Sequence, residues 1–217
     1  MAKNRQTLPS GHHAANIRRE SLSISILGGT FEHMRYLASP AQLRASLLRW
    51  SLFTVPIVFG LGFLSSRISD AGPSNPWFDA LVKPALYPPP ATFGIVWSVL
   101  YVLLGVALAM VASARGASGR GAAVAVFGVQ FLLNLTWSPM FFALHRMSVA
   151  LGILGVMIAL TAVMVMLFRR VRPVAAALVL PYLAWICFAS VLNYQFLAMN
   201  PEADGAQASD GAVRVQL

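Results

Sequence analysis

Three short patterns carry what chemistry this sequence offers. Gly94, Trp97, Tyr101 and Gly105 recur at intervals of three, four and four residues. Gln130, Asn134, Trp137 and Phe141 follow at four, three and four, and Tyr182, Trp185, Ala189 and Asn193 at three, four and four. Such spacing puts each set on one face of a helix. Each face mixes an indole with an amide, a phenol or a small residue. Faces of that kind support recognition: indoles stack on a flat apolar ligand while amides and hydroxyls orient it. Acid–base catalysis has no candidate here, because the apolar runs that hold these faces contain no Asp, Glu, His, Lys or Arg. Chemistry beyond binding would have to run through the indoles, as radical or photochemistry.

Each face also has a plainer reading. Trp and Tyr form belts at membrane surfaces, and inward amides pair helices. Trp137, close to His145 at the end of its run, suits a belt; Trp97 and Trp185, deeper in theirs, suit a pocket. Asn134 and Asn193 stand open between helix pairing and ligand contact. Lone Cys187 lies in an apolar run and reads as a small buried hydrophobe. The pair His12–His13 lacks a nearby third ligand for a metal.

The elements that position these faces follow from hydropathy. Of the 217 residues, 58% are hydrophobic and 11% charged, against about 25% charged in soluble domains. Charge-free runs cover 50–66, 84–114, 121–144, 147–168 and 173–201. About 20 apolar residues cross a bilayer as a helix. The expected fold is therefore an all-α membrane protein, a bundle of five transmembrane helices spanning 50–200. Barrel strands would be about 10 residues long with period-two alternation, a pattern the sequence lacks. Between the first two runs, Pro84, Pro88, Pro89 and Pro90 sit among Trp77, Phe78 and Tyr87. Prolines cannot donate backbone hydrogen bonds and favour extended chain. This stretch is expected to form a stiff lid over the pocket, with Trp77 contributing to the ligand site.

Residues 1–49 and 201–217 are expected to be disordered flanks. The patch 22–31 after Arg18 and Arg19 mimics a signal peptide but is short and broken by Ser and Gly. Met34 is a candidate for the true start. Eight basic residues (Arg35, Arg44, Arg49, Arg115, Arg120, Arg169, Arg170, Arg172) gather on the N-terminal side of the bundle, against Arg67, Lys83 and Arg146 on the other. The positive-inside rule then expects a cytoplasmic N-terminus, with lid and C-terminus opposite. The net charge of +9 is assigned to topology; without a basic helix face, nucleic acid is not an expected partner. Gly105 with Ala109, and Gly121 with Ala125, are small pairs suited to close helix contact within the chain or in a homodimer.

The strings WFDALVKPALYPPPATFGIVWSVLY, NLTWSPMFF with the following His145–Arg146, and PYLAWICFASVLNY resemble the translocator protein (TspO/MBR) family, also called tryptophan-rich sensory protein or peripheral benzodiazepine receptor. The likeness covers about Trp50 to Asn200, and the three motifs fall in family order. It implies a five-helix bundle, commonly dimeric, with a porphyrin such as protoporphyrin IX or heme as ligand beneath a long first loop and no required cofactor. In animals it also implies cholesterol and benzodiazepine-type ligands. Carried over by motif, the family's tryptophans fall on Trp97, on Trp137 with Asn134 before it, and on Trp185 with the small residue at Ala189. Some members are described as breaking down porphyrin in light, which gives an alternative function to binding, sensing or transport. Porphyrin propionates would look for Arg67 or Lys83. Tyr194 is followed by QFLAMN, without the cation that the family's cholesterol pattern needs, so sterol binding is not expected.

Overall fold

A computed structural model describes residues 39–206. The flanks 1–38 and 207–217 lie outside the described residues, and with them the alternative start at Met34, the signal-like patch and the His12–His13 pair. Five long helices follow one another: α1 (Pro40–Ile68), α2 (Pro90–Ser113), α3 (Arg120–Ser138), α4 (Met147–Val171) and α5 (Pro173–Met199). A five-residue helix, Pro76–Ala80, interrupts the α1–α2 connection, and one 3-10 turn, Pro201–Ala203, follows α5. All five long helices are long and apolar enough to cross a membrane. Leu52, Phe53, Ile95, Leu132, Val156 and Met166 are exposed around them. A surface of that kind belongs in lipid, and the chain is a multi-pass integral membrane protein.

Prolines start these helices. Pro40, Pro90 and Pro173 open α1, α2 and α5, where a missing N–H is not felt and φ is already helical. Ser39 and Gln42 close a capping box: Ser39 Oγ accepts from the Gln42 N–H at 3.2 Å and Gln42 Oε1 accepts from the Ser39 N–H at 2.9 Å. The first helix therefore begins at Pro40. Residues 40–49, expected to belong to a disordered extension, are helical because capping, not hydropathy, sets the start.

Helix α1 docks on α2 and α3 through small residues and hydroxyls. A Cβ on Gly62 would lie 2.3 Å from the Tyr101 ring, and one on Gly105 2.7 Å from Val55 Cα. Only glycine lets these surfaces approach so closely. Thr54 Oγ1 donates to Gly105 O at 2.7 Å. At the other end, Pro139 cannot donate to Leu135 O, four residues back. Ser65 Oγ of α1 fills that vacancy with a 2.7 Å hydrogen bond. Helix α3 then widens into a π-turn over Pro139–Ala143, with Leu144 N donating to Pro139 O at 2.9 Å and Arg146 N to Met140 O at 2.8 Å.

Away from the lid the interior is filled. Leu104, Ala107, Val111, Met164, Phe168, Ala175 and Val179 are fully or almost fully buried, and Phe127 stacks on Phe168 at 6.4 Å. The two small pairs separate: Gly105 and Ala109 are buried, whereas Gly121 and Ala125 face outward and a Cβ on Gly121 would meet nothing within 4 Å.

Candidate functional site

The lid folds by its own local rules. Asn75 caps the short helix, its Oδ1 accepting from Phe78 N at 3.1 Å, while its Nδ2 donates to Phe142 O at 3.1 Å. Pro76 opens the helix. Lys83 closes it: Nζ donates to Phe78 O at 2.6 Å, Asp79 O at 2.9 Å and Leu81 O at 3.0 Å, and lies 4.8 Å from the Phe78 ring centroid. An ammonium on the carbonyls of a helix C-terminus suits their partial negative charge. All three of its donors are used, so Lys83 is not free to meet a ligand carboxylate. Phe78 is the plug, buried between Tyr87, Phe141, Phe142 and Phe196 at centroid distances of 5.9, 6.2, 5.1 and 5.4 Å. Tyr87 stacks on Phe93 of α2 at 5.4 Å. Burial pushes the Tyr87 phenol above its ordinary 10.0, so it stays neutral.

Beneath this lid lies a cavity of about 370 Å³. Helix α1 contributes Phe59, Gly62, Phe63, Ser65 and Ser66; α2 contributes Phe93, Gly94, Trp97, Ser98 and Tyr101. Asn134, Trp137 and Ser138 come from α3, Phe141 and Phe142 from the π-turn, and Trp185, Ala189, Leu192, Asn193 and Phe196 from α5. Helix α4 supplies none of the lining. No lining side chain is ionisable at neutral pH: the polar groups are hydroxyls, amides and indoles. Arg67 is exposed, 5.9 Å from the Phe63 ring, and does not line the cavity.

Seven of the nine residues expected at the ligand site meet here: Trp97, Tyr101, Asn134, Trp137, Trp185, Ala189 and Asn193. Two stand behind the wall. Tyr182 is fully buried and acts as a hub, its Oη accepting from Gln130 Nε2 at 2.5 Å and from Asn134 Nδ2 at 3.0 Å. Trp77 turns away from the cavity, lying flat on His145 at 4.4 Å and edge-on to Phe141 at 5.7 Å. The amides that stood open between two roles are bonded to protein. Asn134 Oδ1 accepts from Tyr101 Oη at 3.2 Å. Asn193 Oδ1 accepts from Trp137 Nε1 at 3.3 Å, and its Nδ2 donates to Met147 O at 2.9 Å. This network holds Tyr101 and Trp137 in place and ties α2, α3, α4 and α5 together. The Trp185 indole is different: its ring lines the cavity while its Nε1 is buried without a partner among the described residues. Trp97 tilts against Tyr101 at 5.2 Å, and Phe93 meets Trp185 edge-on at 5.9 Å.

Residue spacing does not mark the α1 wall. Its run carries no amide and one indole, Trp50 at its very start, and the other signals it holds, Gly62 and the Ser65–Ser66 pair, are common in helices of every kind.

The profile of the TspO/MBR family matches residues 53–199. "Tryptophan-rich protein TspO" of Chlorobaculum tepidum is 34% identical over 158 residues, 69% of this chain and 98% of that protein. "Translocator protein" of Sus scrofa is 36% identical over 135 residues, covering 61% and 79% of the two chains. "Tryptophan-rich sensory protein" of Cereibacter sphaeroides is 35% identical over 130 residues, covering 58% and 80%.

Proposed function

The chain belongs to the TspO/MBR family, and from that premise we propose that it binds a porphyrin or related tetrapyrrole in the cavity beneath its lid, for sensing or transport. The observation that carries this reading is the lining: indole and phenyl rings from α2, α3 and α5 around about 370 Å³ with no charged side chain. A flat conjugated macrocycle matches stacked aromatic walls. Neither Lys83 nor Arg67 lines the site, so this reading assigns no basic residue to the propionates. Titration with protoporphyrin IX should quench the tryptophan fluorescence saturably, and Trp97→Phe with Trp185→Phe should weaken it. A wild-type chain without saturable quenching overturns the reading.

A second reading, light-driven breakdown of bound porphyrin, rests on Trp97 and Trp185 both lining the cavity. With saturating protoporphyrin IX under illumination in air, it expects faster bleaching in the wild type than in the doubly substituted chain. Equal rates leave binding alone.

In the bilayer, the end that carries Arg49, Arg115, Arg120, Arg169, Arg170 and Arg172 faces the cytoplasm. The lid and the end of α5 face the opposite side. The outward pair Gly121 and Ala125 is the surface we assign to a homodimer. No sterol site is assigned to Tyr194, which lacks a following cation.

A further inference from the structure

The chain does not leave the bundle when α5 ends. Asn200 turns back onto the lid, its Oδ1 accepting from Val82 N at 2.7 Å and its Nδ2 donating to Val82 O at 3.0 Å. One side-chain amide thus pairs with the donor and the acceptor of a single residue, as a neighbouring strand would. The following residues are fastened in turn. Asp204 Oδ1 accepts from Ser148 N at the start of α4, at 3.1 Å. Gly205 N donates to His145 O at 2.8 Å, and His145 Nδ1 lies 2.8 Å from Ala206 O. His145 takes a left-handed φ of 55°, a conformation a non-glycine residue keeps only where its surroundings impose it. Its ring carries Trp77 of the lid, stacked at 4.4 Å. Within the lid, Phe78 and Leu81 are anchored in the aromatic cluster, but Val82, Ala85 and Leu86 face outward. That stretch meets the end of the bundle through Asn200.

We propose that residues 200–206 form a strap that holds the lid shut, with Asn200 as the lid-positioning residue that sets how fast a ligand enters and leaves. The kinetic half of this proposal rests on the ligand-binding reading above; the mechanical half does not. Asparagine suits the place because it presents an acceptor and two N–H donors on a short stem, one donor for Val82 O and one for Phe196 O. Alanine removes both hydrogen bonds to Val82, together with the bond that Nδ2 donates to Phe196 O at 2.9 Å in the last turn of α5. Aspartate keeps the shape and the acceptor but sets a carboxylate against Val82 O.

The test uses the full-length chain in lipid nanodiscs. Without ligand, hydrogen exchange is followed across residues 76–88 and across α3, α4 and α5. Asn200→Ala should speed exchange in the lid by about tenfold, roughly the loss of one to two net hydrogen bonds, and leave the helices unchanged apart from the last turn of α5, where Asn200 also bonds Phe196 O. Asn200→Asp should match it near pH 7. With protoporphyrin IX as probe, association and dissociation rates should rise together, so that Kd moves less than about threefold. Lid exchange at the wild-type rate in either variant overturns the strap. So does a rise that extends through the helices, which would mark Asn200 as a general stabiliser. So does a change in Kd with only one rate altered. A faster lid in a chain whose wild type shows no saturable porphyrin binding supports the strap and removes the ligand reading instead.

Discussion

Near Phe127, Met164 and Phe168, away from the lid, aromatic and aliphatic side chains fill the bundle to almost no exposure. Near Trp97, Trp137 and Trp185, equally large side chains leave about 370 Å³ open. The two regions draw on the same residue classes, so bulk does not decide which closes. Fastening does. In the filled region, apolar side chains pack directly on one another. Around the cavity, Tyr101 and Trp137 are held by Asn134 and Asn193, Tyr182 fixes both Asn134 and Gln130, and Pro139 hands its missing bond to Ser65. Pinned rings cannot collapse inward. The outer wall, α1, approaches only as far as Gly62 and Gly105 allow.

Four substitutions probe this contrast. Ala189→Trp puts bulk into the cavity without touching the network, and should weaken protoporphyrin IX binding on the order of a hundredfold, about 2.7 kcal/mol, while thermal unfolding stays near wild type. Retained affinity would place the ligand elsewhere. Phe168→Ala, in the filled region, should cost about 3–5 kcal/mol of stability and leave affinity alone; a loss of affinity to match would mean that the two regions are one. Tyr182→Phe removes the acceptor shared by Gln130 and Asn134. It should destabilise by about 1–3 kcal/mol and loosen Tyr101, seen as a broadened porphyrin Soret band; an unchanged unfolding curve would deny Tyr182 its role as hub. The smallest effect is the most specific. Ser65→Ala leaves Leu135 O unpaired and should cost about 1 kcal/mol. In a Pro139→Ala background that carbonyl regains a backbone donor, so the same substitution should cost almost nothing. Equal costs in both backgrounds would break the link between the proline and the serine.

Spans and inward faces were legible in the sequence because both are periodic. Charge-free runs mark the helices, and Trp97, Asn134 and Ala189 share faces that one helical period predicts. What was illegible depends on meetings between distant segments. Nothing in the spacing says that Trp77 lies on His145, that Lys83 spends its donors on the lid's own carbonyls, or that Asn200 clasps Val82. The start of α1 at Pro40 was written in Ser39 and Gln42, but a hydropathy reading stops at the last charge. Helix α1 itself looked featureless because its contribution to the cavity is made of phenylalanine, serine and a missing side chain.

The hydroxyls that fasten α1 have one more consequence, which concerns synthesis. Helix α1 enters the membrane first, while its partners Gly105, Leu135 and Ser138 lie 51, 70 and 69 residues further along the chain. Until they arrive it stands alone in lipid, where an unpaired amide would be costly. Hydroxyls can wait. Thr54 Oγ1 also reaches Trp50 O at 3.0 Å, and Ser69 Oγ donates to Ser65 O, each one turn back on the same helix. Those local bonds shelter the donors during insertion. As the later helices arrive, Thr54 and Ser69 add a distant partner to a local one that they keep in the folded bundle.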